Sequence, residues 1–423
     1  MYNTLTLIRT YLEKFILYFL ATIVFLSASC EKEKSLVFTV AKGNGIPLNQ
    51  PRFVEENELK AKGLELDSSL VLVTANGNEL PYQKDDGKLW FIAGKGDVSS
   101  FKFINKQGTL PKGNPFNVEK ESGDLTVQLN GKSAVSYRYG MTYPPGGVDS
   151  LYKKSGYVHP IITPKGDTLT RIQPEDHYHH YGLWGPWTHT QVDGQRVDFW
   201  NLKEGMGTVL FKDFKGDTSG KLFSSFTATQ EHIDFKTQEK PQIALNEDVT
   251  IKIWDINRPD RYMFDYITNF SSPLKKGILF EAYRYGGGLG LRFHERLKAD
   301  NCTVLTSEGN DRASADGTNA KWCIVTGEST DGKGTSGILF LSHPTNRNHP
   351  EPMRIWPLDA NGGRGDMFFE FCPIRHEEWK IEPNQQYGLT YRMIVFDGEL
   401  TAQEAETYWQ HFANEPQIEV TKN

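Results

Sequence analysis

Short runs of β-branched and aromatic residues, separated by Asn-Gly, Asp-Gly and Gly-Asn-Gly turn signals, recur along this chain for most of its length, and helical periodicity of useful length appears once. Leu36–Val40, Leu70–Thr74, Leu89–Ala93 and Phe101–Ile104 read as strands, with turns at Gly43-Asn44-Gly45, Asn76-Gly77-Asn78 and Asp85-Asp86-Gly87 between them. Asn130-Gly131 sits between two apolar runs, Leu125–Leu129 and Ala134–Tyr139, and predicts a hairpin, because an Asn-Gly pair accepts the positive φ angles of a tight turn. Strand signals continue through Val249–Trp254, Met263–Asn269, Gly337–Leu341, Phe368–Phe371 and Tyr391–Phe396. The one helix expected is Thr401–Phe412, with Ala402, Ala405, Tyr408 and Trp409 on its buried stripe. The fold class is therefore all-β: a small N-terminal β-sandwich over residues 31–120, then a large two-sheet sandwich over residues 121–423 that ends in a helix.

The first thirty residues are of a different kind. Arg9 and Lys14 precede an apolar run from Phe15 to Ala28, which is shorter than the roughly 20 residues a membrane-spanning helix needs and stops at Ser-Ala-Ser-Cys. Residues 1–30 are expected to be a lipoprotein signal peptide, with Cys30 as the lipidated residue, although Ser27 stands where a leucine is usual. The expected location is the outer membrane, on its periplasmic or outer face, with the membrane as a partner through Cys30. The net charge of −6, without a basic block interleaved with aromatics, argues against nucleic acid as a partner. Beyond Cys30 the cysteines are Cys302, Cys323 and Cys372, too few for a disulfide scaffold.

Chemistry concentrates between Glu175 and Trp200. Four of the eleven histidines, His177, His179, His180 and His189, fall there among Trp184, Trp187 and Trp200. If the segment is extended, His177 and His179 share a face and His180 takes the other. Neutral imidazole is both ligand and proton carrier near neutral pH, so His177 and His179 with Glu175 are expected to supply an acid/base pair or to bind a divalent metal. The alternative is a structural, hydrogen-bonding role for at least two of these rings. Glycines and a proline around Trp184 and Trp187 place these two indoles at a cleft, as a stacking floor for sugar rings, while Trp200 is expected in the core. A second His-rich stretch, His343–His349, reads as a surface loop that brings His343, Arg347 and His349 to the first cluster, with a turn held by asparagine side chains as the alternative. Glu281 and Arg284, beside Gly286-Gly287-Gly288, are expected at the same cleft, as a carboxylate partner and a substrate contact. No dinucleotide or phosphate-loop pattern is present, so a nicotinamide cofactor is not expected.

Several of these motifs carry a family resemblance. Tyr139-Gly140, His159-Pro160, Thr163-Pro164-Lys165-Gly166, Asp176-His177 through Asp198-Phe199-Trp200, Gly290-Leu291-Arg292, Ser307-Glu308-Gly309, Ala320-Lys321-Trp322 and Ser342-His343-Pro344 through His349-Pro350 follow one another in an order similar to the family labelled "methane oxygenase PmoA". The resemblance covers roughly residues 137–397. It implies an exported β-rich protein with galactose-mutarotase-like architecture and a link to sugar metabolism. Methane oxidation itself is not expected, because the chain after its leader has no long apolar spans. The function expected is action on a carbohydrate or glycoside by hydrolysis, elimination or epimerisation, with binding of a glycan without catalysis as the alternative.

Overall fold

Gln242–Trp254 alternates buried and half-buried residues along most of its length, and Phe223–Asp234 does the same. That period of two gives each strand one face for a core. In the computed structural model, which describes residues 36–40, 49–66, 70–92, 100–105, 113–414 and 418–422, these strands lie in an eight-stranded sheet. Its order runs from Gly207–Ser219 through Phe223–Asp234, Gln242–Trp254, Arg261–Ser271, Tyr387–Asp397, Thr335–Ser342 and Trp322–Glu328 to Cys302–Thr306. A nine-stranded sheet packs against it, running from Asn319–Ala320 at one edge to Phe116–Glu121 at the other. Between them lies the main core, where Tyr137, Val158, Leu183 and Leu291 of the nine-stranded sheet meet Phe226, Ile251, Phe264 and Val395 of the eight-stranded one. The fold is all-β, with antiparallel pairing along the long strands. Asn130 and Gly131, at φ 53° and 77°, close the expected hairpin between Asp124–Leu129 and Lys132–Arg138.

Central strands of the eight-stranded sheet are buried on both faces, and the second face needs its own cover. Met263, Trp322, Leu339, Ile394 and Phe396 are covered there by Ala405, Tyr408 and Phe412 of the helix Ala402–Ala413, and by Ile92 and Trp90 from the N-terminal region. Thr401 and Glu404 form a reciprocal capping box that fixes the start of the helix. The expected stripe is shifted: Ala402 is exposed and Trp409 half-buried, while His411 and Phe412 are buried instead.

The N-terminal region holds a five-stranded and a three-stranded sheet around a separate core that includes Leu59, Leu72, Phe91, Phe101 and Phe103. The last described strand, Ile418–Lys422, joins this region by pairing antiparallel with Leu36–Val40, Leu36 opposite Lys422. Gln83 ties the region to the large sandwich. Its amide oxygen accepts from the backbone N–H groups of Leu222 and Phe223 at 3.0 and 3.1 Å, and its nitrogen donates to the Phe223 carbonyl. Cys30 and the leader expected over residues 1–30 lie outside the described residues. Among the described residues no helix is long and apolar enough to cross a membrane.

Candidate functional site

The His-rich segment is a turn and not a strand. A bridge between Ile172 and Tyr181 closes it, Gln173 adopts φ 44°, and the N–H groups of His177 and His180 donate to the carbonyls of Pro174 and His177. Tight winding brings all three imidazoles together, with ring centres 5.4 Å apart for His177 and His179, 4.7 Å for His177 and His180, and 4.7 Å for His179 and His180. The expected two-and-one division of these rings across a strand is therefore corrected.

They line a hollow of about 190 Å³ with Thr188, Trp200, Asn201, Tyr283, Tyr285 and Trp356. Three stretches of chain supply these groups. The first leaves the strand Leu183–Trp184 and turns through Asp193-Gly194, at φ 50° and 77°, to return with Trp200 and Asn201. The second precedes the strand Leu289–Arg292, and the third follows Glu351–Ile355.

Asp198, fully buried, organises one wall. It accepts from the Thr188 hydroxyl at 2.8 Å, from the Asn201 side chain at 2.8 Å, from the backbone N–H groups of Trp200 and Asn201, and from Arg196 at 2.9 Å. Five donors on one carboxylate satisfy an otherwise costly buried charge and fix the side chains around it. On the opposite wall the Tyr285 oxygen accepts from Arg354 Nη2 at 2.9 Å and Trp356 Nε1 at 3.1 Å. Beneath the hollow, His180 is caged by Trp184, Trp200, Trp356 and Phe368, with ring centres 5.2–5.6 Å away. The His180 Nδ1 and Trp200 Nε1 atoms are buried without protein partners.

Burial sets the electrostatics. It pushes His179 down to about 4, His180 well below the ordinary imidazole range, and His177 below it by less, because the Asp176 carboxylate opposes the shift. All three rings are therefore neutral at neutral pH. His177 Nδ1 lies 3.1 Å from Asp176 Oδ2, and the same oxygen accepts from Arg292, Arg364 and Asn361. The negative charge of Asp176 favours a proton on Nδ1, although that nitrogen makes no hydrogen bond to the carboxylate.

The glycine triplet shapes the Tyr285 loop. Gly287, at φ 78°, passes so close to Trp187 that an added Cβ would meet the indole at 1.8 Å. Gly286 donates its N–H to the buried Glu370 carboxyl at 2.6 Å, and burial raises that carboxyl well above the usual range.

The family described as a family of unknown function (DUF6807) matches residues 124–410. The chain belongs to the DUF6807 family. This corrects the methane-oxygenase resemblance read from the sequence motifs, since the matching family is a different one and carries no such activity in its description. No curated protein matches the chain. Among solved structures, the heparan sulfate lyase HepC from Pedobacter heparinus is similar at 12% identity and a TM-score of 0.33, over 70% of this chain and 38% of that one. The DUF6807 chain thus spans well under half of that structure's length.

Within the DUF6807 region, the expected site residues divide. His177 and His179 line the hollow. Glu175 is exposed at the turn, and Asp176, one residue on, is the carboxylate that reaches His177. Trp187 stacks on Phe280 at 4.0 Å inside the main core, and Trp184 is buried in the aromatic cluster beneath the hollow. Trp200, expected in the core, is buried and yet is an indole of the lining. Glu281 bonds Gln191, and Arg284 lies over the Tyr285 ring; neither lines the hollow.

His343, Arg347 and His349 do not join the first cluster. His343 packs on Phe412, His349 lies parallel to Trp409, and Arg347 donates to the Glu378 carbonyl and covers Trp379. Their loop is held by Asn346, which bonds Glu351 and both backbone groups of Thr390. The asparagine-held turn weighed as the alternative is the observed one. Among the described residues no group of three His, Cys, Asp or Glu side chains is arranged to hold a metal ion. Thr188, Asn201, Tyr283, Tyr285 and Trp356 are not among the residues expected from sequence. Tyr283 and Tyr285 flank Arg284, and their alternation next to the glycine triplet is the available signal.

Proposed function

We propose that this chain binds a carbohydrate in the His177–Trp356 hollow and acts on it by acid/base chemistry, with His177 as the proton acceptor and Asp176 as the residue that positions it. The observation that carries this reading is the pairing of His177 Nδ1 with Asp176 at 3.1 Å in a hollow walled by Trp200, Trp356, Tyr283 and Tyr285. Indoles and phenols give sugar C–H faces a surface to pack on and offer directional polar edges. A volume of about 190 Å³ is small against ordinary ligand pockets and suits one ring. Unprotonated His177 is in the state a general base needs.

A second reading, a glycan-binding protein without turnover, is favoured by the same burial that lowers the imidazoles, because a weaker base is a poorer proton acceptor. Affinity and turnover measured separately decide between them. On the first reading, His177→Asn keeps glycan affinity within a few-fold and loses about 10²–10⁴ in rate. Affinity without any turnover in the unaltered protein supports the second reading. Absence of both binding and turnover across a broad glycan panel sinks the two together.

Export and lipid anchoring at Cys30, on the periplasmic or outer face of the outer membrane, belong to the same proposal. The leader pattern of residues 9–30 supports it. Metabolic labelling with a fatty acid should mark the protein and be lost in Cys30→Ser; equal labelling of both would refute the anchor.

A further inference from the structure

We infer that the hollow selects neutral, hydroxyl-rich sugars and rejects sugars that carry a carboxylate or sulfate. This rests on the carbohydrate reading above and narrows it to a substrate class. The selectivity rests on what the wall organised by Asp198 has left to offer a ligand once its own hydrogen bonds are made, and on the nearby arginines lying outside the lining.

Asn201 Nδ2 donates to Asp198 at 2.8 Å and to Thr188 Oγ1 at 3.3 Å, so both amide hydrogens are committed and only its carbonyl oxygen remains. Thr188 spends its hydroxyl hydrogen on Asp198 at 2.8 Å and keeps lone-pair capacity alone. Two lining groups are thereby reduced to acceptors. Donors remain as well: two N–H groups already donate to the Tyr285 oxygen, so its own hydrogen is what it can give, and the Trp200 indole N–H is unpartnered.

The cations nearby lie outside the lining. Arg292 lies behind Trp356, 4.7 Å from the ring centre and 1% exposed, with Nη2 directed to Asp176 and Asp366 and with Nε and Nη1 buried without protein partners. Arg354 is committed to Asp316 at 2.9 Å, the Ile355 carbonyl and Tyr285. Neither is part of the lining. A sugar hydroxyl can donate to Asn201 and Thr188 and accept from Tyr285. A carboxylate or sulfate oxygen can only accept; against these two groups it would meet lone pairs, with the buried Asp198 carboxylate close behind both.

Titration calorimetry of the purified protein at pH 7.5, with glucose and galactose against glucuronate and galacturonate, tests this directly. The expected result is tighter binding of the neutral member of each pair by at least about ten-fold. Asn201→Ala should lower affinity for the neutral sugar without raising it for the acid, with circular dichroism to confirm an unchanged fold. Equal or tighter binding of the uronates overturns the selectivity and leaves the carbohydrate reading intact. Failure of all four sugars and of a broad glycan panel to bind overturns both.

Discussion

Asp176 Oδ2 lies 3.1 Å from His177 Nδ1 while the same oxygen receives Arg292, Arg364 and Asn361. One carboxylate thus sits against the imidazole and ties its turn to the loop that carries Asn361 and Arg364. The arrangement makes Asp176 a positioning residue with a measurable signature.

In Asp176→Asn the carboxylate that opposes desolvation is gone, and Arg292 and Arg364 keep only Asp366 as a shared anion. The His177 pKa should fall further below the ordinary imidazole range. Proton NMR titration of the histidines reads this directly. A pKa that is unchanged or higher in the variant would show that the pair is not electrostatically coupled.

His411, on the buried face of the helix Ala402–Ala413, has both ring nitrogens unpartnered, and burial, followed by Arg392 and Arg52, holds it well below the ordinary imidazole range. The unfolded chain therefore binds a proton at this position before the folded one does. Its contribution to stability is complete above about pH 6.5 and is lost as pH falls toward the folded value. His411→Phe should flatten the loss of Tm between pH 7 and pH 5 relative to the parent. Parallel Tm curves for the two proteins would refute this.

Glu351 works in the opposite direction. Burial raises it to about 7 despite bonds from Ser342, Asn346 and Tyr391. The folded state holds this proton between the unfolded value near 4.5 and about 7, so stability declines as pH rises through that interval. Glu351→Gln, which cannot ionise, should gain stability relative to the parent as pH increases from 5 to 8. Chemical denaturation at those two pH values gives the comparison, and a constant difference would count against a buried ionisation here.

Gly287→Ala places a methyl group into the Trp187 ring and at φ 78°, a backbone region that alanine rarely adopts. Overpacking and strain together should cost about 3 kcal/mol. Because Tyr283 and Tyr285 ride on this loop, ligand affinity should fall in the same variant. Urea denaturation within error of the parent would show that the loop moves aside freely.

The strands were legible because their information is local. Alternation along Val249–Trp254 and the turn at Asn130-Gly131 each specify a shape within a few residues. The site was legible only in part, since its walls come from three distant stretches around residues 177–201, 283–285 and 356. His177 and His179 declared themselves by clustering. Trp356, 179 positions beyond His177 and with its ring centre 4.9 Å away, gave no local sign. The expectation for His343 and His349 failed for a related reason. Histidine-rich composition marks loops of either kind, and only the packing of Phe412 and Trp409 shows that these rings serve the helix. The three imidazoles were misassigned to two faces because the turn at Pro174–His180 was read as extended chain.

Leu36–Val40 and Ile418–Lys422 run side by side in opposite directions, with Leu36 facing Lys422. The chain enters the first strand and leaves the second at the same end of the pair. Tension applied between these two points would load the hydrogen bonds one rung after another instead of all at once. Under traction this pair should open like a zipper at low force, and an optical-tweezers record should show it yield before the large sandwich does.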